Sequence, residues 1–274
     1  MSPVKTVAEA LAAVQQAKAG APAFCTNFFP VQPKMQAWID HGELYVEHRD
    51  GAAFFFRKDR DFWHFYFCAP SVTALDRQLA TDPAIKRERL AVDLIGNEIT
   101  LAELLEIFES KGFRRYSRLF RLARVGQTAP GTTALDPGQV VIADQEDAPA
   151  IGDLLEASFD RFADQLPMSY ELEAAIEARH VLAIKHERTI GAALFFETQG
   201  LTSTVRYWVV AQPFRSQSFG SRLIRHYFAA QNGVRRFILW VTANNDNAVQ
   251  KYQHYGYRPD GLVDHVLVNE MIRP

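Results

Sequence analysis

Three apolar runs in the second half of the chain, Val181 to Lys185, Ile190 to Glu197 and Thr204 to Val210, are short and separated by the turn signals Glu187-Arg188 and Gln199-Gly200. That pattern predicts an antiparallel meander. Ahead of it, a brief run at Val140 to Ala143 predicts a strand, and helices are expected over Asp147 to Phe159 and Ser169 to Ala178. Behind it, Phe219, Leu223, Ile224, Tyr227 and Phe228 fall on one face of a helix. A compact strand at Phe237 to Val241, a helix at Ala248 to Tyr255 and a strand at Val263 to Met271 complete the order βααβββαβαβ.

The first half shows a similar order without obvious identity. Strands are expected near Ala23 to Phe29, Leu44 to Arg49, Ala52 to Arg57 and Phe62 to Cys68. Helical patterns at Val72 to Leu79 and Leu101 to Glu109 flank a strand at Leu90 to Leu94, and Phe113 to Ala123 is the final strand. Lys111-Gly112-Phe113-Arg114 and Tyr255-Gly256-Tyr257-Arg258 occupy the same place in the two series, each ending a helix and opening a strand. This is read as a diverged internal duplication, with two unrelated α/β domains as the alternative. A stretch rich in Gly, Pro and Thr, Val125 to Gly138, places the boundary: a first domain at 1–125, a linker at 126–138 and a second domain at 139–274. At the start of the chain Val7, Leu11 and Val14 stand at helical spacing, Thr6 with Glu9 fits a capping box, and Gly20 followed by Pro22 stops the helix.

Composition narrows the classes. With 274 residues, 48% of them hydrophobic, the chain can build two buried cores. Thirty Lys and Arg against 32 Asp and Glu leave a net charge of -2, which gives no strong pull toward nucleic acid or an anionic membrane. Lys5, Glu9, Gln15, Gln16 and Lys18 interrupt any secretory core, and no apolar run approaches the roughly 20 residues that span a bilayer, so a cytoplasmic location is expected. Cys25 and Cys68, the two cysteines, sit in apolar runs as small hydrophobes. The histidines show no zinc spacing and no Gly-x-Ser-x-Gly motif occurs, so neither a metal nor a covalent nucleophile is expected. Arg57 to Phe67 mixes basic and aromatic residues as nucleic-acid sites do. Its charges are of both signs, and a hairpin with one buried aromatic face is the preferred reading.

Two segments carry candidate chemistry. In Val210-Ala-Gln-Pro-Phe-Arg215-Ser-Gln-Ser218-Phe-Gly220-Ser221, a strand runs through a tight loop into an amphipathic helix. Free N–H groups at the helix start, backed by its dipole, suit a pyrophosphate. Small residues at 216, 218 and 220 allow close approach, and Arg215 adds a positive charge. In Asn245-Asp-Asn-Ala248-Val-Gln-Lys-Tyr252-Gln-His-Tyr-Gly256-Tyr257, Asn245 has N-cap chemistry and Gly256 ends a short helix bearing Tyr252. Each segment alone also fits a plain capped helix.

Together the two segments resemble the cofactor-binding loop and following strand-helix of the GNAT superfamily of N-acyltransferases, over about residues 139–274. The resemblance implies an α/β chain of the α+β kind, made of two GNAT-like domains, each a mixed, mostly antiparallel sheet flanked by helices. It implies acetyl-CoA as acyl donor and a primary amine, on a small molecule or peptide, as acceptor, joined by direct transfer in one ternary complex. It implies that the backbone at Val209 and Val210 pairs with the pantetheine arm, and that Arg215, Ser216, Gln217, Ser218, Phe219, Gly220 and Ser221 hold the pyrophosphate. Asn245 then lies along the cofactor arm, and Tyr252 stands beside the thioester sulfur as proton donor. Ser218 departs from the family's usual glycine, and its Cβ crowds the phosphate unless the local φ is negative.

No Asp, Glu or His lies on the strand Thr204 to Val210, which leaves Glu197, Asp264, His265 or water as the base for the amine. The substituted loop and missing base keep a second function open, a non-catalytic CoA-binding or sensor protein with the same fold. The first domain is expected to lack a cofactor site: Ala69 to Gln78 follows its equivalent strand without a glycine, with Asp76 nearby, and Leu101 to Glu109 contains no tyrosine.

Overall fold

The computed structural model describes residues 1–272 except Pro30, Asp82, 127–139 and Arg188. Apart from Gly126, the linker at 126–138 therefore lies outside the described residues, as does Arg188 of the expected turn. The elements run β1 (Ser2–Pro3), α1 (Val7–Lys18), β2 (Cys25–Thr26), α2 (Gln32–Asp40), β3 (Leu44–Arg49), β4 (Ala52–Asp59) and β5 (Phe62–Ala69). They continue with α3 (Val72–Leu79), α4 (Pro83–Arg87), β6 (Leu90–Gly96), α5 (Glu98–Ser110), β7 (Phe113–Val125), β8 (Val141–Ile142), α6 (Ala148–Glu156) and α7 (Ser169–Glu177). The rest are β9 (Val181–His186), β10 (Thr189–Gln199), β11 (Thr202–Val210), α8 (Phe219–Ala230), β12 (Arg236–Thr242), α9 (Asp246–His254) and β13 (Arg258–Asn269). The chain divides into two compact units, Met1–Leu119 with Leu262–Pro274, and Phe120–Gly261.

In the first unit β3, β4 and β5 are antiparallel neighbours and β6 runs parallel to β5, with Trp63 opposite Leu90. The aromatic runs of β4 and β5 are buried almost throughout, as strands covered on both sides must be. Phe55 and Tyr66 pack with Phe28, Met35 and Trp38 on one side. Phe65 and Phe67 meet Phe108 of α5 on the other, at ring distances of 6.3 and 5.8 Å. The Arg57 to Phe67 hairpin thus has two buried faces rather than one. Its charges are inside as well: the Arg57 guanidinium lies 4.8 Å from the Trp38 ring centre, and His64 Nε2 is 3.1 Å from Asp59 Oδ2. Thr6 caps α1 by accepting the Glu9 N–H, but that helix buries Ala10, Ala13 and Ala17 and leaves Leu11 exposed. Small alanines let the helix seat closely on the sheet. The strand expected at Ala23 to Phe29 shrinks to β2, and both cysteines are free.

The second unit repeats the pattern. β9, β10 and β11 are antiparallel neighbours, and β12 is parallel to β11. One core lies under α8 around Leu194, Leu223, Tyr227 and Phe237; the other lies under α6 and α7 around Ile151, Leu172, Phe195 and Tyr207. These elements match the sequence expectation closely, with boundaries shifted by a few residues.

The compact units do not follow the division at 125 and 139. Residues 262–274 group with the first unit, where Val263 to Val268 of β13 pair antiparallel with Gly96 to Ala91 of β6. Burial explains the placement: Val266, Leu267 and Val268 are fully enclosed there. Among the described residues no helix is long and apolar enough to cross a membrane.

Truncation after Gly261 strips β6 of its partner and bares an apolar strand edge. The shortened chain should aggregate or lose the cooperative unfolding of the first unit. Unfolding followed by circular dichroism checks this, and a melting temperature within a few degrees of the full chain would contradict it.

Candidate active site

The site is organised by β11. Phe195 of β10 lies opposite Tyr207, but Phe196 lies opposite Val205, so Arg206 is an extra residue, a β-bulge. On the other edge the parallel register with β12 runs from Thr202–Arg236 only to Val205–Leu239, although the strands continue to Val210 and Thr242. The two strands part beyond the bulge. Among the described residues the backbone of β11 on that edge has no registered partner past Val205, an opening that includes Val209 and Val210. Tyr207 and Val209 turn into the core under α6 and α7, while Trp208 and Val210 pack toward α8.

After β11, Gln212 to Phe214 make one 3-10 turn and Ser218 begins α8. Arg215, Ser216, Gln217 and Ser218 are exposed, and no side chain caps the helix. Among the described residues its first N–H groups therefore have no side-chain cap, an arrangement that fits an anion. Ser218 has φ +60°, the left-handed conformation that favours glycine, so the serine is held at a cost of about 1–2 kcal/mol. Phe219 is buried and stacks on Phe214 at 5.5 Å, which leaves only its backbone to face a ligand. That ring rests on Gly191, where a Cβ would come within 2.6 Å of Phe219 Cε2. Gly220 is equally constrained: a Cβ there would lie 3.3 Å from both Trp208 Nε1 and Val210 Cγ2.

Ser221 has a structural use, since its hydroxyl accepts a bond from the Tyr255 hydroxyl at 2.8 Å and ties α8 to α9. Asn245 caps α9, its Oδ1 accepting the Ala248 N–H at 3.1 Å. Tyr252, on α9, lies against Trp208 with ring centres 5.5 Å apart. Burial, and then the charge of Asp164, push its phenol up to about 12, so it stays protonated across the physiological range. Gly256, at φ +87°, ends the helix beside Arg124, and Tyr257 enters the core.

Asp264 and His265 lie on the part of β13 that belongs to the first unit. There His265 pairs with Glu98 at 3.0 Å, and burial, then Asp93, raise Asp264 well above the usual carboxylate range. Glu197 is exposed, and it lies five residues along β10 from Ala192, the partner of Val210, or about 17 Å. The carboxylate whose charge acts on Tyr252 is Asp164, in the loop between α6 and α7. Tyr207 anchors that loop, its hydroxyl donating to the carbonyls of Asp164 at 3.1 Å and Gln165 at 2.5 Å. Burial pushes the Asp164 carboxyl up to about 6, even though it accepts the Asp160 N–H. Arg206 stands nearby: burial opposes its charge, but Tyr207, Glu197 and Glu171 outweigh that and hold it protonated.

Residues 148–257 match the model of the acetyltransferase (GNAT) family. They form a GNAT domain. The match takes in the bulged strand, the uncapped helix and Tyr252 of this site. No curated protein matches the chain in sequence. Among solved structures, a tandem GNAT protein from the clavulanic acid biosynthesis pathway is similar over 100% of this chain and 98% of its own, with TM-score 0.64 and 11% identity. A GCN5-related N-acetyltransferase from Sphaerobacter thermophilus is similar over 81% of this chain and 77% of its own (TM-score 0.57, 14% identity). One from Kribbella flavida covers 94% and 95% (TM-score 0.53, 14% identity). The fold is that of a tandem GNAT protein, two GNAT-like domains built on mixed sheets flanked by helices.

Because Ser218 occupies a glycine conformation at the head of the GNAT domain's α8, Ser218→Gly should stabilise the protein by about 1 kcal/mol, raising Tm by roughly 2–4 °C. Differential scanning calorimetry measures this, and a lower Tm would show that the serine is not strained.

Proposed function

We propose that the chain is an N-acyltransferase that moves an acetyl group from acetyl-CoA to a primary amine in one ternary complex. The observation that carries this reading is the conjunction, in one GNAT domain, of an uncapped helix terminus, a strand with a free edge and a tyrosine beside both. In this reading the pyrophosphate sits on the N–H groups at the start of α8, between Ser216 and Ser221, with Arg215 as counter-charge. Phe219 and Ser221 contribute backbone alone. The pantetheine arm runs along the open edge at Val209 and Val210, past Asn245. A backbone N–H on that edge stabilises the developing oxyanion. Tyr252 donates to the departing sulfur. With its pKa near 12 the free-enzyme phenol is a hydrogen-bond donor first, because full transfer to a thiolate of pKa near 8.5 is uphill by about 5 kcal/mol.

The first unit is read as a copy without a cofactor site. The helix in the place of α8 is α3, and its N-terminus is already filled: Ser71 Oγ accepts the Ala74 N–H at 3.1 Å. Asp76 on the same helix pairs with Lys111 at 2.7 Å. One CoA per chain is expected.

Titration calorimetry of the full chain with CoA tests binding and its stoichiometry. No heat at millimolar CoA, or saturation at two per chain, would overturn this reading. Gly220→Asp should abolish binding, since it sets a negative side chain against Trp208 and Val210 where the pyrophosphate belongs. Tyr252→Phe should lower kcat by roughly 10- to 10,000-fold while CoA binding is kept. Thiol release from acetyl-CoA with spermidine, glucosamine, tyramine and a dipeptide as acceptors measures this. Binding without release for any of them would favour the sensor reading, which the strained Ser218 already suits.

A further inference from the structure

Resting on the acyltransfer reading, we propose that Asp164 is the residue that takes the proton from the acceptor amine. The acceptor must meet the acyl carbon where β11 and β12 part, because the edge of β11 that faces β12 opens there. Consecutive residues of β11 address that gap from its two faces. Tyr207 carries the loop bearing Asp164 on its hydroxyl, and Trp208 carries Tyr252 against its ring. The bulge at Arg206 sets this pairing, since it shifts the strand's alternation immediately before the two aromatics.

The loop is not slack. Asp160 accepts the Phe162 and Ala163 N–H groups through Oδ1, each at 2.9 Å. Asp164 N–H donates back to the Asp160 carbonyl at 2.9 Å, and Asp164 Oδ2 accepts the Asp160 N–H at the same distance. Oδ1 of Asp164 has no donor among the described residues, so one lone pair is available to a substrate. The titratable and charged groups around this carboxylate or its anchor are Asp160 from the loop itself, Arg206 and the neutral Tyr207 from β11, the neutral Tyr252 from α9 and Glu171 from α7. Of these carboxylates Asp164 is the one whose charge acts on Tyr252; Glu171 accepts the Met168 N–H at the head of α7, and Asp160 is committed to its turn.

The proton balance is complete. The acceptor arrives as an ammonium and gives one proton to Asp164. Its nitrogen then bonds to the acyl carbon as the carbon–sulfur bond breaks. The nitrogen's remaining excess proton reaches the sulfur by way of the Tyr252 hydroxyl, which gives its own proton and regains one. Asp164 returns its proton to solvent, and the products are an amide, a thiol and one released proton. A carboxylate pushed up to about 6 is about two units more basic than an ordinary one, yet still ionised at neutral pH.

Asp164→Asn keeps the shape and an oxygen for the Asp160 N–H. It should lower kcat/KM by roughly 10²- to 10⁴-fold with the best of the four acceptors, with CoA affinity unchanged and Tm not lowered, since the neutral amide spares the cost of burying a charge. In the wild type, kcat/KM should fall tenfold per unit below about pH 6 as Asp164 protonates and level off above it; in the Asn variant, where only the free amine reacts, that levelling should disappear and the rate should keep rising with pH, and Asp164→Glu should restore part of the rate and the break. A purely structural role would not remove the break. Turnover in Asp164→Asn at the wild-type rate, or an unchanged break near pH 6, overturns the proposal while the acyltransfer reading stands. Absence of thiol release by the wild type overturns that reading, and this assignment with it.

Discussion

The parting of β11 from β12 is the interaction on which the rest of the second unit depends, or more exactly the interruption of one. A parallel pair normally saturates both backbone edges; here saturation ends after Val205–Leu239, one residue before the bulge. An unpaired edge in the middle of a sheet is costly in water-poor surroundings unless something answers it. The surroundings supply what a ligand needs: a loop with small residues, a helix terminus without a cap, and a half-buried tyrosine. The glycines at 191 and 220 serve the same opening, one letting the Phe219 ring lie flat on β10 and the other letting α8 approach Trp208 and Val210. A Cβ at Gly191 would force the Phe219 ring to move, while one at Gly220 would require Trp208 and Val210 to give by a few tenths of an ångström.

Much of this was legible beforehand. The helices α8 and α9 announce themselves by apolar periodicity and, for α9, by an Asn and a Gly at its two ends, so their residues fall where expected. The meander was equally plain. The strain at Ser218 was legible only as a question, because sequence names the residue and not its φ. The role of Ser221 and Tyr255 in joining two helices depends on two hydroxyls that are 34 positions apart and have no local signature.

What sequence did not yield has a common cause. Asp164 sits in an aperiodic loop, and the role proposed for it depends on Tyr207, 43 residues away, holding the loop's carbonyls. α2 was missed because Gln32 to Asp40 is mostly polar and buries only Met35 and Trp38. The partner of β13 was missed for a deeper reason: alternation along a strand tells which face is buried and never which edge it will join. The strand that bears Asp264 and His265 was correctly expected, and the structure groups that part of it with the first unit.

The placement of β13 also bears on how the protein comes into being. Chains leave the ribosome from the N-terminus at about 5–20 residues per second, and domains commonly fold as they emerge. Here the first unit stops at Leu119 and resumes at Leu262, so the strand that completes its sheet is made about 143 residues after the rest of it. At those rates the wait is on the order of 7–30 seconds. During that interval β6, with its apolar run Leu90 to Leu94, presents an unpaired edge next to the most aromatic strands in the chain. Vectorial synthesis therefore leaves the older half unfinished until the younger half has been translated, and chaperone capture is expected to concentrate on nascent chains of intermediate length.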